Sequence, residues 1–224
     1  MIELADVGVR LGEREVLKDV TLTLAERRIG VVGANGSGKS TLARLLNGLV
    51  LPTSGAIRVL GHDTRRAGAQ VRRAVGFLFT DPDAQIVMPT VAEDVAFSLR
   101  RGKLPRAETE RRVKDILSAY GLAGHADHPA HQLSGGQKQL LALCSILVLQ
   151  PEILVMDEPT TLLDLRNSRH VAEVLRGLPQ QAVVVSHDLD LLADFDRILV
   201  LDEGRVVADD TPAPALAHYR KLMA

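Results

Sequence analysis

A glycine-rich run between an apolar segment and a helix-forming segment constrains this chain more than any other stretch. The run fits the spacing G-x-x-x-x-G-K-[ST] and consists of Gly33, Ala34, Asn35, Gly36, Ser37, Gly38, Lys39, Ser40 and Thr41. Residues 29–32 before it predict a short buried strand, and residues 39–47 predict a helix that stops at Gly48. Glycines let successive N–H groups turn inward, and the start of the helix adds free N–H groups and a positive dipole end. The run therefore predicts a phosphate-binding loop within an α/β core.

Two side chains of this loop have predicted chemistry of their own. We expect the Lys39 ammonium group to reach the β- and γ-phosphates of a bound nucleoside triphosphate, and the Ser40 hydroxyl to ligate Mg²⁺. The alternative is a chance glycine-rich turn. The strand pattern before the loop and the helix pattern after it argue against that alternative.

A second apolar segment, residues 153–156, ends in two carboxylates, Asp157 and Glu158. Successive side chains of a strand point in opposite directions, so the two acids are expected to have separate roles at the carboxyl end of a parallel strand, where α/β proteins form ligand sites. Asp157 suits Mg²⁺, directly or through water, and Glu158 suits positioning and polarising the attacking water. A solvated acidic turn is the alternative, and the phosphate loop favours the site.

The remaining sequence pattern predicts strands and helices that alternate. Residues 2–24 alternate as in an antiparallel sheet. Further short apolar segments predict strands at residues 56–60, 75–79, 153–156, 182–185 and 198–201. This order is typical of a three-layer α/β fold with a mostly parallel sheet, as in P-loop nucleoside triphosphatases.

Charged helical patterns dominate residues 81–150, which predicts a helical subdomain inserted into the core. We therefore expect one ATP-binding domain over residues 1–224. Its nucleotide-binding core comprises residues 1–80 and 151–224, with an N-terminal antiparallel β part.

Composition excludes several classes of protein. Lys and Arg number 27 against 28 for Asp and Glu, and aromatic residues make up 3% with no Trp, so no nucleic-acid partner is expected. Cys144 is the single cysteine, which rules out an intramolecular disulfide, and it is expected to be a small buried residue. Glu3 and Asp6 interrupt any secretory signal, and the apolar run at residues 140–149 is half as long as the ~20 residues of a membrane-spanning helix.

A third motif carries a family resemblance. The run Leu133-Ser134-Gly135-Gly136-Gln137-Lys138-Gln139 resembles the signature motif of ABC-transporter ATPases. Ser186-His187-Asp188 after a predicted strand resembles their switch histidine, and Thr161-Leu162-Leu163-Asp164 stands where their D-loop stands. The motifs occur in the order and spacing of that family, and the resemblance extends from residue 2 to about residue 215.

The resemblance implies the ABC ATPase fold and a mechanism that needs two subunits. Two such domains form a head-to-tail dimer, either of identical chains or with a related ATPase, and ATP lies between them. Ser134, Gly135, Gly136 and Gln137 of one subunit would then act in trans, offering a hydroxyl and free backbone N–H groups to the γ-phosphate. His187 would contact the γ-phosphate and hold the water and Glu158 in place. Asp164 would couple the two sites.

Two positions depart from the pattern of the family. Thr80 stands where most members have a glutamine that contacts Mg²⁺, and its hydroxyl reaches less far. Leu11 stands where many members stack an aromatic ring on adenine, so looser base selectivity and stronger competition by GTP are expected. His125, His128 and His131 are spaced three apart. A connecting loop is the expectation there, with a metal site as the alternative, because Pro129 breaks any helical face.

One stretch points to a branch of the family. Residues 81–87, followed by residues 90–97, resemble ATPases of energy-coupling-factor importers, which take up vitamins and transition-metal ions. The resemblance implies a transmembrane coupling subunit and an integral substrate-binding subunit as partners, and a peripheral location on the cytoplasmic face of the cell membrane. The compact length is most similar to the biotin-uptake member, with cobalt or nickel uptake as the second possibility.

Functions of other classes explain the motifs less well. A soluble ABC ATPase of translation or DNA repair usually has two cassettes or a long coiled-coil insertion. A P-loop small-molecule kinase leaves residues 133–139 unexplained, and a nucleotide sensor without catalysis has no need for Glu158.

Overall fold

The computed structural model describes residues 1–224, with ten strands and eight α helices. The strands are β1 (Ile2–Leu11), β2 (Arg14–Leu24), β3 (Arg28–Gly33), β4 (Ser54–Val59), β5 (His62–Asp63), β6 (Val75–Leu78), β7 (Ile153–Asp157), β8 (Gln181–Val185), β9 (Arg197–Asp202) and β10 (Arg205–Asp210). The helices are α1 (Lys39–Leu46), α2 (Gly68–Ala74), α3 (Val91–Leu99), α4 (Arg106–Ala119), α5 (Gly135–Leu147), α6 (Leu165–Gly177), α7 (Leu189–Leu192) and α8 (Pro212–Leu222).

The N-terminal strands form an antiparallel sheet, which confirms the prediction for residues 2–24. Its order is β2-β1-β4-β5. β1 pairs with β2 so that Ile2 faces Leu24 and Leu4 faces Leu22, and all four side chains are buried. Strand side chains alternate between two faces, so this register places the apolar residues of both strands on one side.

The second sheet has the order β10-β9-β3-β8-β7-β6, with β3 pairing in parallel with β8 and β9. Every residue of β3 is buried, as expected for a strand in the interior of a parallel sheet. The hairpin of β9 and β10 adds an antiparallel edge. Gly33 at the end of β3 pairs with Leu201, and Asp157 at the end of β7 pairs with Val185. The phosphate loop and the two carboxylates therefore follow strands that end at the same edge of this sheet.

The chain divides into two compact units. The first comprises residues 1–77, 152–158 and 180–224, and contains both sheets almost entirely. The second comprises residues 78–151 and 159–179, and is mainly helical. The helical segment expected at residues 81–150 lies within the second unit, which also includes α6, a helix that the sequence pattern grouped with the core. The reason is that α6 packs against α5, a contact between distant parts of the sequence.

A buried carboxylate holds the entry to α3 within the second unit. Asp94 is 3% exposed and accepts hydrogen bonds from the Ser145 hydroxyl (2.9 Å) and from the backbone N–H groups of Val87 (2.8 Å) and Met88 (3.0 Å). Three donors compensate for the desolvation of this charge. Cys144 on the neighbouring α5 is buried, as predicted.

Candidate functional site

The loop between β3 and α1 depends on glycine for its backbone shape. Gly36 and Gly38 have positive φ angles of 79° and 105°, a region that other residues resist. A Cβ atom at Gly38 would lie 2.7 Å from Leu17 Cδ2 and 2.9 Å from the Val16 carbonyl oxygen. Because β2 runs this close to the loop, a side chain is excluded at Gly38.

Lys39 begins α1 and is almost completely buried, at 7% exposure. Its Nζ donates hydrogen bonds to the Gly33 carbonyl (2.8 Å) and the Ala34 carbonyl (2.9 Å), which hold the ammonium group over the loop. Burial lowers the pKa of Lys39, and the charges of Glu158 and Asp157 oppose that change. The two acids at the end of β7 therefore help to keep this lysine cationic.

A hydroxyl and a carboxylate meet next to the loop. The Ser40 Oγ donates to Asp157 Oδ1 at 2.9 Å, and Asp157 is 3% exposed. Burial raises the pKa of Asp157, whereas the Ser40 hydrogen bond and the positive charges of Arg44 and Lys39 lower it. Both predicted Mg²⁺ ligands of the first unit are thus within hydrogen-bonding distance of each other.

Glu158 leaves the strand in the left-handed backbone conformation, with φ of 55°. Its N–H still donates to the Val185 carbonyl at 2.9 Å, which extends the pairing of β7 with β8 by one residue. Glu158 Oε2 accepts from the His187 backbone N–H (3.3 Å), and Oε1 lies 3.3 Å from His187 Nε2. The two adjacent acids therefore serve different neighbours, Asp157 contacting Ser40 and Glu158 contacting His187.

A tyrosine of the C-terminal helix adds a contact that the sequence did not suggest. The Tyr219 hydroxyl lies 3.4 Å from His187 Nδ1, on the opposite side of the imidazole ring from Glu158. Tyr219 shares the buried face of α8 with Ala215 and Leu216. Burial, and to a smaller extent the charge of Glu158, raises the pKa of Tyr219. Its one sequence signal is the helical spacing of these apolar residues, which predicts core packing but no role beside a histidine.

An open pocket of about 300 Å³ lies beside the phosphate loop within the first unit. Its lining includes Arg14, Val16, residues 34–37 and Gly204. Arg14 Nη2 donates to the Gly36 carbonyl at 3.2 Å, so a cation from β2 borders the loop. Leu11, at the end of β1, is 54% exposed and is not among the lining residues.

In the second unit, residues 133–139, called the signature-like run below, lead into and form the start of α5. Ser134 is the N-cap residue and forms a capping box with Gln137: the Gln137 N–H donates to Ser134 Oγ (3.4 Å), and the Ser134 N–H donates to Gln137 Oε1 (2.9 Å). Gly136 is buried against α6, because a Cβ atom there would lie 2.5 Å from Asn167 Oδ1. Gly135 has ordinary clearance, with its nearest neighbour at 3.6 Å.

Asp164 caps α6 in the same unit. It accepts from the Asn167 N–H (2.8 Å) and from Asn167 Nδ2 (3.0 Å). Asn167 therefore contacts both Asp164 and the position of Gly136, so that the D-loop-like and signature-like runs meet at one side chain. Thr80 is half-buried at the start of the second unit, where Gln85 Oε1 accepts from the Phe79 N–H at 3.2 Å.

The donor set of the first unit fits Mg²⁺. This ion favours oxygen ligands and is usually held by one or two carboxylates together with phosphate oxygens and water. Ser40 and Asp157 supply one hydroxyl and one carboxylate at a single point. The chain has no cluster of three or more His, Cys, Asp or Glu side chains that could hold a metal alone, so any Mg²⁺ here would need further oxygens from a bound phosphate. No helix combines the length and apolar character that crossing a bilayer requires.

Comparison with known proteins identifies relatives over the whole chain. A family profile described as "ABC transporter" matches residues 17–161. A putative ABC transporter ATP-binding protein of Deinococcus radiodurans is 58% identical, with 100% of this chain and 99% of that protein covered. The biotin transport ATP-binding protein BioM of Rhizobium etli is 48% identical, with the same coverage. The energy-coupling factor transporter ATP-binding protein EcfA1 of Caldanaerobacter subterraneus is 41% identical, covering 92% of this chain and 77% of that protein.

Solved structures agree with the predicted fold class. The cbiO1 protein of Clostridium perfringens, described as part of the ABC transporter complex cbiONQ, matches with a TM-score of 0.87 and 30% identity over 99% of this chain and 92% of that one. An ATP-binding cassette solved as a dimer in a post-hydrolysis state with ADP and Pi matches with a TM-score of 0.83 and 29% identity, over 95% of this chain and 99% of that one.

Proposed function

Since this chain belongs to the ABC transporter family, we propose that it is the ATP-hydrolysing subunit of an energy-coupling-factor importer and that the imported solute is biotin. The proposal of ATP hydrolysis rests on the two acids at the end of β7, which have different neighbours: Asp157 contacts Ser40, and Glu158 lies 3.3 Å from His187. The solute rests on the 48% identity to a biotin transport protein over the full length of this chain.

Binding of ATP is assigned to the loop after β3. The N–H groups of residues 33–38 and the start of α1 would hold the phosphates, with the Lys39 ammonium group against the β- and γ-phosphates. To do so, Lys39 exchanges its bonds to the Gly33 and Ala34 carbonyls for phosphate oxygens. Ser40 and Asp157 would hold Mg²⁺. When bound, this ion would neutralise charge on the phosphates.

Hydrolysis is assigned to Glu158 and His187. Glu158 would orient and polarise the attacking water, because its side chain is largely buried, at 13% exposure, next to the phosphate loop. His187 would hold Glu158 through Nε2 and contact the γ-phosphate. A carboxylate that accepts from a backbone N–H and lies beside a ring nitrogen needs little reorganisation during the reaction.

Completion of the site is assigned to a second subunit, identical or related. The start of α5 offers the Ser134 hydroxyl and backbone N–H groups of residues 135–137, which suits the γ-phosphate of ATP bound by the partner. Asp164, at the start of α6, would transmit the state of one site to the other. The dimeric cassette structure supports this arrangement.

The partners in the membrane follow from the proposed importer. We assign the protein to the cytoplasmic face of the membrane, peripheral, bound to a transmembrane coupling subunit and an integral substrate-binding subunit. Affinity purification from native membranes, with mass spectrometry of the bound proteins, tests this assignment. Recovery of ribosomes or DNA-repair proteins instead would support a soluble, non-transport ABC ATPase.

Uptake in cells tests the solute. The gene is deleted, and uptake of radiolabelled biotin is measured with and without plasmid-borne wild-type protein or the Lys39→Ala variant. We expect biotin uptake to depend on the wild-type protein and to remain absent with Lys39→Ala, because loss of the ammonium group should weaken nucleotide binding. Labelled cobalt and nickel are measured in parallel. Uptake of a metal ion that follows the gene, with biotin uptake unchanged, would overturn the choice of biotin.

A further inference from the structure

Two of the three histidines before α5 form a chain of hydrogen bonds that ends at the signature-like run. His128 Nδ1 lies 2.9 Å from His125 Nδ1, and His125 Nε2 lies 3.0 Å from Gln137 Nε2. The two rings meet edge to face, with centroids 4.9 Å apart. No third histidine, cysteine or carboxylate joins them in a metal-binding group, so hydrogen bonding is the role that their geometry supports.

The contact between Ser134 and Gln137 determines which atoms carry protons along this series of hydrogen bonds. The backbone N–H of Ser134 can only donate, so the side-chain atom of Gln137 that it meets at 2.9 Å is the carbonyl oxygen Oε1. The amide nitrogen of Gln137 must then face His125 Nε2, which accepts and bears no proton. His125 therefore has its proton on Nδ1 and donates it to His128 Nδ1, which accepts in turn. This assignment gives each of the three contacts one donor and one acceptor.

Gln137 is the point where this chain meets the capping box. The side-chain oxygen Oε1 of Gln137 accepts from the Ser134 backbone N–H, and the backbone N–H of Gln137 donates to Ser134 Oγ. The amide nitrogen would lack a fixed acceptor without His125, and the side chain could then rotate away from Ser134. The adjacent Lys138 donates from Nζ to the two carboxylate oxygens of Asp83, at 2.8 and 3.0 Å, and not to Gln137.

We propose that His125 is a positioning residue for the start of α5, the proposed trans-acting surface: it orients the Gln137 side chain, which accepts from the Ser134 backbone N–H, while His128 selects the tautomer of His125. The inference rests on the proposed function, because Ser134 and Gln137 affect turnover only if they complete a nucleotide site on a second subunit. His125 itself touches neither nucleotide nor water in this role.

Three variants test the proposal. His125→Phe keeps a ring but removes the acceptor, His125→Gln restores an acceptor oxygen, and His131→Phe makes the same change at an exposed histidine of the same segment. We expect His125→Phe to lower the turnover number for ATP by about three- to tenfold, the effect of losing one orienting hydrogen bond. His125→Gln should recover activity to within about twofold of wild type, and His131→Phe should match wild type.

Two further measurements separate positioning from a general loss of structure. Nitrogen-15 NMR of the wild-type histidines should show His125 as the Nδ1–H tautomer. In a Glu158→Gln background, ATP-dependent dimer formation should be weakened by His125→Phe, whereas ATP binding by isolated subunits should not change.

Equal turnover for His125→Phe and His131→Phe, or an Nε2–H tautomer at His125, would overturn the proposal. If His125→Phe is poorly folded, failure of the folded His125→Gln variant to retain activity does the same. If Glu158→Gln with native His125 forms no dimer with ATP, the proposed two-subunit function fails, and the NMR result alone then decides whether His125 orients Gln137.

Discussion

At the scale of single residues, the central feature is that the adjacent acids Asp157 and Glu158 contact different neighbours. Asp157 completes β7 in ordinary strand geometry and contacts Ser40, whereas Glu158 adopts a left-handed backbone and contacts His187. The left-handed turn costs roughly 1 kcal/mol for a residue with a side chain. One peptide bond thus separates the proposed metal ligand Asp157 from the proposed water-orienting residue Glu158.

Replacement of Glu158 by glutamine tests this division. The amide preserves the shape of the side chain but cannot act as a base, so we expect turnover to fall about 10²–10⁴-fold while ATP still binds. Phosphate release and nucleotide affinity are measured on the purified protein. Glu152→Gln, an exposed acid just before the same strand, is the control and should keep wild-type turnover. Wild-type turnover in Glu158→Gln would remove Glu158 from the mechanism.

At the scale of secondary-structure elements, the start of α5 packs closely against α6. Two glycines stand side by side there, but only Gly136 faces α6. A Cβ atom at Gly136 would lie 2.5 Å from Asn167 Oδ1, whereas one at Gly135 would have 3.6 Å to its nearest neighbour. The close approach of the two helices therefore depends on one glycine of the pair.

Alanine at each glycine should separate the two roles. We expect Gly136→Ala to destabilise the protein by about 1–3 kcal/mol, because α5 and α6 must move apart to accept the methyl group. Gly135→Ala should change the free energy of unfolding by less than about 1 kcal/mol. Urea unfolding followed by circular dichroism gives both values. Equal destabilisation by the two variants would contradict the packing argument.

The C-terminal helix α8 provides a second prediction at this scale. The Tyr219 hydroxyl is 3.4 Å from His187 Nδ1, so donation from the phenol would keep the ring proton on Nε2, facing Glu158. Tyr219→Phe keeps the packing of α8 and should lower turnover by about two- to tenfold with little change in stability.

The matched control for Tyr219 is the other tyrosine of the chain. Tyr120→Phe removes a half-buried hydroxyl in the second unit and should leave turnover unchanged. Steady-state kinetics at saturating ATP compares the two variants. In a His187→Ala background, Tyr219→Phe should have no further effect. An undiminished effect there would show that the Tyr219 hydroxyl does not act through His187.

At the scale of the whole molecule, the single cysteine reports on opening of the folded chain. Cys144 is buried, and burial raises its pKa to about 12. The thiolate is the reactive form, so the folded protein should be inert to a disulfide reagent at pH 8, and one thiol should react once urea unfolds the chain. Absorbance of the released thiolate measures the reaction. Rapid labelling of native protein would mean that α5 opens in the folded state.

Much of this architecture was predictable from local pattern. The loop at residues 33–41 lies between an apolar strand and a helix, and those neighbours are adjacent in sequence, so composition and spacing were sufficient to predict the strand–loop–helix unit. The antiparallel β1–β2 pair was predictable for the same reason. The family assignment from the signature-like run was also confirmed, because its motifs are short and contiguous.

The sequence by itself thus identified the loop, the two acids and the signature-like run. Each is a continuous segment, so its residue types and their spacing are sufficient to predict its chemistry. Tertiary structure decided which side chains meet. It placed Tyr219 beside His187, Asn167 against Gly136, and His125 on Gln137. The first two contacts join residues about 30 positions apart and the third joins residues 12 apart. No local period encodes such contacts, because they depend on how strands and helices pack after they have formed.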